Sequence, residues 1–401
     1  MTSAGVVTLG DLVELTMGFA FKSEEFSENQ TGIKLLRGEN IAQGTTRWDN
    51  TRWWPTDSSV ESKYALRVGD VALAMDRPWI DAGLKFATIR PSDLPALLVQ
   101  RVALLRARPG TDQRYLSCVV SSRAFTEYVL GVQTGTSIPH ISGSQIARYS
   151  LSPHTLSEQR AIAEVLGALD DKIAANQKLS ATSASLSHAM FDAAVRAYPE
   201  EWLLSEITVL VTRGVTPSYS DADDTMMVLN QKCVRDQRIV LAAARRTLTS
   251  KVREDKILVP NDVLINSTGQ GTLGRVARWT RNEIATTDSH VSIVRFDGAK
   301  TNKVVAGHGL LQLQSVIEEM GEGSTGQTEL SRTELNKLRI RLPASSIQDE
   351  LGLRLSELAR MEDSSLHQNL TLAATRDALL PQLMSGKLRV KDAETVLEGV
   401  L

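Results

Sequence analysis

The chain has 401 residues, of which 42% are hydrophobic and 23% charged, and its formal net charge is −2. That length is enough for two or three domains with separate cores, and the composition is that of an ordinary soluble globular protein. Two distant cysteines, Cys118 and Cys233, argue against a disulfide framework and suit a reducing cytoplasm, while the lack of a secretory pattern or a long apolar run argues against export and against any membrane partner.

Residues 1–155 read as a first mixed domain of short strands and polar turns. The runs from Asp70 and Arg101 are strand-like, and the stretch from Tyr115 is the best helix candidate in this half. Residues 156–198 then carry no proline and a single glycine. Ser157 is a plausible N-cap there, with Glu158 in the first turn. Ile162, Val165, Leu166, Leu169, Ile173, Leu179, Leu186 and Met190 recur at helical spacing, which predicts a rod of roughly 60 Å.

Pro199 breaks that pattern, and a second mixed domain occupies 199–344. Residues 345–401 open with another long helical stretch. Ile347, Leu351, Leu355, Leu358, Met361, Leu366, Leu379 and Leu383 carry its apolar face, Pro381 kinks or ends it, and Gly386 is a suitable terminator.

Domain, helix, domain, helix implies a repeat, and correspondences survive at a nearly constant offset. Asp70-Val71 is answered by Asp262-Val263, 192 positions later, and Val102 to Arg106 by Val291 to Arg295, 189 later. The period is too long for a solenoid and suggests duplication of a whole domain-plus-helix unit. The expected fold class is therefore α+β, with two long amphipathic helices that bury each other's stripes in a coiled coil around a pseudo-twofold axis. Asn176 interrupts the first seam and Asn369 falls near the matching place in the second. They are either two solvated side chains or a buried polar pair that fixes register.

Catalytic motifs are scarce. Gly269-Gln-Gly271-Thr-Leu-Gly274 has the spacing of a dinucleotide loop, but Arg275 to Trp279 alternates like a strand instead of opening a helix. A tight turn between strands, whose amides and Thr268 could meet a phosphate, is the better account. The six histidines never pair at metal-ligand spacing, and neither a nucleophile elbow nor a phosphate-binding loop of the Walker type is present. What remains are polar, glycine-punctuated segments rich in Arg, Asn, Gln, Ser and Thr, the residue types that read base edges and phosphates. The candidates are Lys22, Arg37, Asn40, Arg77, Thr136, Ser137 and His140 in the first half. The second half offers Arg213, Thr216, Ser218, Asn230, Lys232, Thr268, Gln270, Arg275, Ser324, Thr325 and Gln327. Each segment alone reads as a surface turn; their recurrence at equivalent places in both halves points to DNA.

The run Pro153 to Ala163, followed by Val165-Leu166, Leu169-Asp170, Lys172-Ile173 and Asn176, resembles the central helix of type I restriction–modification specificity subunits. Leu380 to Leu388 looks like their C-terminal signature, and Gly214 to Ser218, Asp262-Val263 and Gly271 to Gly274 are similar to recurring motifs of their target-recognition domains. The first domain departs from the pattern with Met75-Asp-Arg-Pro-Trp79 at the glycine turn, and Gln348-Asp-Glu350 looks like a degenerate form of Glu158-Gln159-Arg160.

The resemblance implies a non-catalytic subunit that reads double-stranded DNA, one target-recognition domain per half of a bipartite site, with the antiparallel helix pair as the ruler. It further implies two methyltransferase subunits as partners, carrying S-adenosylmethionine, and an ATP- and Mg-dependent translocase-nuclease where one joins. No cofactor is expected on this chain. The residues leave open a scaffold or coiled-coil adaptor whose mixed domains bind proteins.

Overall fold

The computed structural model describes residues 7–27, 32–55, 62–135, 137–321 and 329–401. The chain divides into two compact units, one of Met1–Asn176 with His367–Leu401, the other of Gln177–Leu366. Both mix strands and helices, in an α+β arrangement.

In the first unit the principal sheet runs Val13–Met17, Val102–Ala107, Val71–Ala74, Phe86–Thr88 and Gln43–Gly44, antiparallel except for the last pair. Its central strands are unbroken apolar runs because both faces are covered. Val71, Leu73, Ala103 and Leu105 point into one core with Tyr115, Leu116 and Phe125, while Ala72, Ala74, Val102 and Leu104 point into another with Leu36, Ile41 and Leu98. This is the period of two that a pleated strand imposes. A second sheet places Ile33–Leu36 between Ala96–Leu98, parallel, and Trp53–Trp54, antiparallel. The stretch from Tyr115 forms two helices instead of one, Gln113–Ser121 and Arg123–Val132. Ser122 divides them by accepting a hydrogen bond from the Phe125 N–H as an N-cap.

The second unit has a principal sheet of Thr208–Arg213, Val291–Phe296, Val263–Asn266 and Val276–Arg278, all antiparallel. Val263, Ile265, Val294 and Phe296 enter one core, and Leu264, Val291 and Ile293 the other. Its three-stranded sheet sets Thr225–Leu229 between Arg245–Leu248 and Ala285–Thr287.

Each principal sheet is anchored by a buried ion pair. Arg106 donates from Nε and Nη2 to Asp70 at 2.9 and 2.6 Å, and Arg295 does the same to Asp262 at 2.9 and 2.8 Å. Each aspartate also accepts a backbone N–H three residues upstream, from Arg67 and from Val259. Two-pronged pairing and the extra amide satisfy carboxylates that would otherwise be costly to bury.

The long helices are Leu156–Ala197 and Ser345–Met384. The first is capped by Thr155, not Ser157. Thr155 Oγ1 accepts the Glu158 N–H, and the Glu158 carboxylate accepts the Thr155 N–H, a capping box that also lowers the carboxyl's pKa. The second helix runs through Pro381 and stops before Gly386, whose φ of 70° suits glycine. A further helix, Val390–Glu398, follows it.

Within the first unit, Arg376 reaches Asp170 at 2.8 Å and Asn176 reaches Asn369, so these segments of the two helices run antiparallel. Ile162, Val165, Leu166 and Leu169 share a core with Leu372, Leu379, Leu380 and Leu383. Farther along the first helix the apolar stripe read from the sequence departs from the buried face. Leu179 and Leu186 are exposed, and Ser180, Ser183 and Ser187 are buried in their place. Ser180 is covered by Arg238, whose Nη2 donates to its hydroxyl at 3.1 Å from the short hairpin Val234–Ile239, so a small side chain is what fits beneath it. Met361 of the second helix is likewise exposed, and the buried face there includes Ser365.

The start of each long helix is clamped by a buried glutamine. Gln159 donates to the His154 carbonyl and accepts the Asp112 N–H, while Gln348 donates to the Pro343 carbonyl and accepts the Asn302 N–H. Asp112 and Asn302 are themselves N-caps of short helices. The same glutamine role is thus played by Gln159 and Gln348, whose neighbours differ in sequence.

Candidate nucleic-acid interface

Glycines set the floor of both candidate faces. Gly18 and Gly214 each follow the first strand of a principal sheet, and a Cβ at either would overlap backbone, of Val99 and of Thr287 and Asp288 respectively. Each glycine N–H donates across the sheet, to Val102 O at 3.0 Å and to Val291 O at 2.9 Å. Only glycine permits so close an approach.

In the first unit, Arg77 leaves the strand Val71–Ala74 in a left-handed conformation, φ 45°, held by its N–H to the Pro139 carbonyl at 2.6 Å. Strained, well-held backbone of this kind is characteristic of binding sites. Asp76 bridges to His140, and His140 Nε2 lies 3.2 Å from Thr134 Oγ1, so Arg77, Ser137 and His140 share one loop cluster. Lys85 joins it: burial first, then Arg47 and Arg77, hold its ammonium below the ordinary lysine pKa, with Glu39 and Asp76 as counter-charges. Arg37 pairs with Glu39, its pKa lowered mainly by burial, and its Nε has no partner among the described residues. Lys22 stands apart, pairing with Glu25 at 3.7 Å on an exposed turn. Asn40 is buried; its Oδ1 accepts the Arg37 N–H and its Nδ2 donates to the Arg47 carbonyl, so its amide holds the loop instead of facing outward.

In the second unit, Gly269, Gly271 and Gly274 take φ of 107°, 73° and 80°, folding Ser267 to Arg275 into a turn between two antiparallel strands. No helix opens there, so the turn is not a dinucleotide loop. Buried Asn266 ties it to its neighbour by donating to the Gln231 and Thr272 carbonyls at 3.0 and 3.1 Å. Thr268 Oγ1 meets Gln231 Nε2 at 2.7 Å and His290 Nδ1 at 2.8 Å. Arg275 Nη2 donates to Gly271 O at 3.0 Å, and Gln270 and Lys232 are exposed nearby in the same loop cluster. Arg213 reaches this cluster through Glu329, which pairs with its guanidinium and bridges to Thr268.

Thr216 is exposed, whereas the Ser218 backbone is locked to Thr247 Oγ1. Asn230 acts as an N-cap for the Lys232 N–H and donates to the Ala243 carbonyl at 2.6 Å. Thr136, Ser324, Thr325 and Gln327 lie outside the described residues.

The sequence did not single out Lys85, Arg47 and Lys256, which the fold brings into these clusters, or the exposed Arg245, stacked 3.5 Å over the Tyr219 ring. No local signal flags the last, because Tyr219 is the only aromatic in its stretch and is followed by Asp221, Asp223 and Asp224. Among the described residues no group of three or more His, Cys, Asp and Glu could hold a metal, and no helix is long and apolar enough to cross a membrane.

No protein-family model matches the chain. Over 198 residues, 47% of this chain and 32% of the relative, it is 34% identical to the type I restriction enzyme EcoAI specificity subunit of Escherichia coli. Over 177 residues, 43% of this chain and 41% of the relative, it is 31% identical to the type I restriction enzyme MjaVIII specificity subunit of Methanocaldococcus jannaschii. The match thus spans less than half the length of either curated relative. A crystal structure of the type I restriction–modification S subunit from M. genitalium shares the fold, with a TM-score of 0.63 at 15% identity, covering 95% of this chain and 96% of that one. The resemblance to type I specificity subunits carried by the sequence motifs is borne out in these relatives.

Proposed function

We propose that this chain is the DNA-reading specificity subunit of a type I restriction–modification complex. Each unit reads one half of a bipartite duplex site, and the two long helices, paired as an antiparallel coiled coil, set the gap. One observation carries this reading: two units with like-ordered principal sheets each gather arginines and lysines on loops at the ends of the strands, around Arg77 and Lys85 in one and around Arg213 and Lys256 in the other. The paired anchors Asp70–Arg106 and Asp262–Arg295, and the clamps Gln159 and Gln348, support descent of both units from one duplicated ancestor.

The mechanism is recognition without catalysis. Cationic side chains neutralise phosphates and fix the register of the duplex, while Gln270, Thr268, Ser137 and His140 offer the donors and acceptors that distinguish base edges. Two methyltransferase subunits supply S-adenosylmethionine chemistry, and an ATP- and Mg-dependent translocase-nuclease joins where the system includes one.

The test is binding of the full chain to labelled random-sequence duplex, with and without a co-expressed methyltransferase. Affinity that falls steeply between about 50 and 200 mM salt is expected. Protein capture with no duplex binding in either preparation would favour the adaptor reading instead.

A further inference from the structure

The two units differ where the first sheet strand meets the helix that begins after a serine N-cap. In the first unit the strand ends at Met17, opposite Ala103, and the helix Gly143–Ala147 follows Ser142. Met17 closes that junction: a Cβ on Gly143 would lie 3.0 Å from Met17 Cε. In the second unit the strand ends at Arg213, opposite Ser292, and the helix Arg332–Asn336 follows Ser331. A thioether against a glycine has been replaced by two arginines, and the junction opens into a cleft of about 500 Å³ lined by Thr212, Arg213, Lys256, Glu329, Ser331 and Arg332, with Thr333 at its edge.

The cations of this cleft are aimed. Arg213 is held by Glu329 and by its Nη2 donation to the Leu330 carbonyl at 3.1 Å. Lys256 Nζ donates to the Gly214 carbonyl at 2.8 Å, which leaves two of its three protons for a ligand. Arg332 is exposed and makes no hydrogen bond or ion pair among the described residues. Against one carboxylate, Glu329, three cations leave an excess of positive charge facing a polar cleft, and the hydroxyls of Ser331 and Thr333 add donors. Fixed cations with convergent hydroxyls are what a phosphodiester oxygen requires.

We propose that the cleft between Arg213, Lys256 and Arg332 seats a backbone phosphate of duplex DNA, and that the first unit has no counterpart. The inference rests on the DNA-reading function above and adds an asymmetry to it: the second unit grips the backbone at a place where the first is closed by Met17. Arg332 supplies the free charge, Lys256 and Arg213 fix the position, and Glu329 limits the affinity of the seat for anions.

Salt titrations of the full chain on labelled random-sequence duplex test this with two variants of opposite sign. Arg332→Ala is expected to weaken binding uniformly across sequences and to flatten the dependence of log affinity on log salt by about 0.9, one phosphate's worth. Glu329→Gln is expected to tighten binding several-fold, a gain that an unfolded variant cannot produce. Unchanged slope and affinity in Arg332→Ala would overturn the seat while leaving the DNA-reading function intact. Weakening confined to particular sequences would overturn it too, by making Arg332 a base reader. If the unaltered chain bound no duplex at any salt, the function itself would fall, and the seat with it.

Discussion

Asn176 Nδ2 donates to Asn369 Oδ1 at 3.0 Å and to Gln368 Oε1 at 2.8 Å, from a side chain only 5% exposed. Asn369 Nδ2 in turn lies 3.4 Å from the Ile173 carbonyl. The sequence left two readings of these asparagines open, and they form the buried polar contact. A pair of amides between helices is less stabilising than a pair of leucines but is satisfied in only one register.

Asn176→Leu therefore removes the donor and leaves the Asn369 and Gln368 oxygens facing an apolar side chain. A loss of roughly 1–3 kcal/mol in unfolding free energy is expected from denaturant melts. Adding Asn369→Leu should recover much of that loss, giving a coupling of about 0.5–3 kcal/mol in the double-mutant cycle. Additive losses would mean that the two amides do not act as a pair.

The sheet anchors predict matched sensitivity in the two units. Asp262 is 1% exposed and Asp70 2%. Asp262→Asn and Asp70→Asn each leave a buried guanidinium, of Arg295 or Arg106, without its counter-charge, and should each cost about 3–5 kcal/mol. Thermal denaturation of the two variants checks this. A large loss in one and none in the other would break the equivalence of the anchors.

His308 gives the stability a pH dependence. Its ring is buried, 4.9 Å from that of His188, and burial first, then His188 and Arg278, push its pKa down to about 3. The unfolded imidazole takes up its proton near the ordinary value of about 6.5. Between those values the unfolded chain binds the extra proton, so this contribution is fully present above about pH 6.5 and is lost progressively as pH falls toward 3. The slope approaches about 1.4 kcal/mol per pH unit once the unfolded group is protonated. Denaturant midpoints measured between about pH 7.5 and 5 should fall less in His308→Leu than in the unaltered chain; parallel curves would assign the acid sensitivity elsewhere.

The proposed ruler role of the long helices predicts a distance. Four residues inserted after Leu179, with four in the facing stretch of the second helix, lengthen the pair by roughly 6 Å. At about 3.4 Å per base pair the unspecified gap should widen by one or two pairs. Methylome sequencing reads this directly, and an unchanged gap would show that the helices do not set it.

The elements that sequence reveals here are those whose signal is local and apolar. Val102 to Leu105 and Val291 to Val294 announce central strands because both faces are buried, and the nearly constant offset between Asp70 and Asp262 marks the same ion-pair anchor twice. Loop residues are harder, because one side-chain chemistry serves two ends. Asn40 and Asn230 have the chemistry of base readers, yet both fasten their own loops. Ser180, Ser183 and Ser187 look like an outer helix face and are buried, with Arg238 hydrogen-bonded over the first of them. Lys85 gave no local cue, since the charges around it come from other segments, and Lys256 gave none because Gly214 and Arg332, which place it in the cleft, lie far away in sequence.

In the proposed function each unit reads its own half of one DNA site. It is tested most directly by methylome sequencing of cells in which residues 199–344 have been exchanged for the corresponding segment of another type I specificity subunit. The account predicts a methylated bipartite motif in which one half changes to the donor's and the other half and the gap stay as they were. Change in both halves, or in neither, would contradict it.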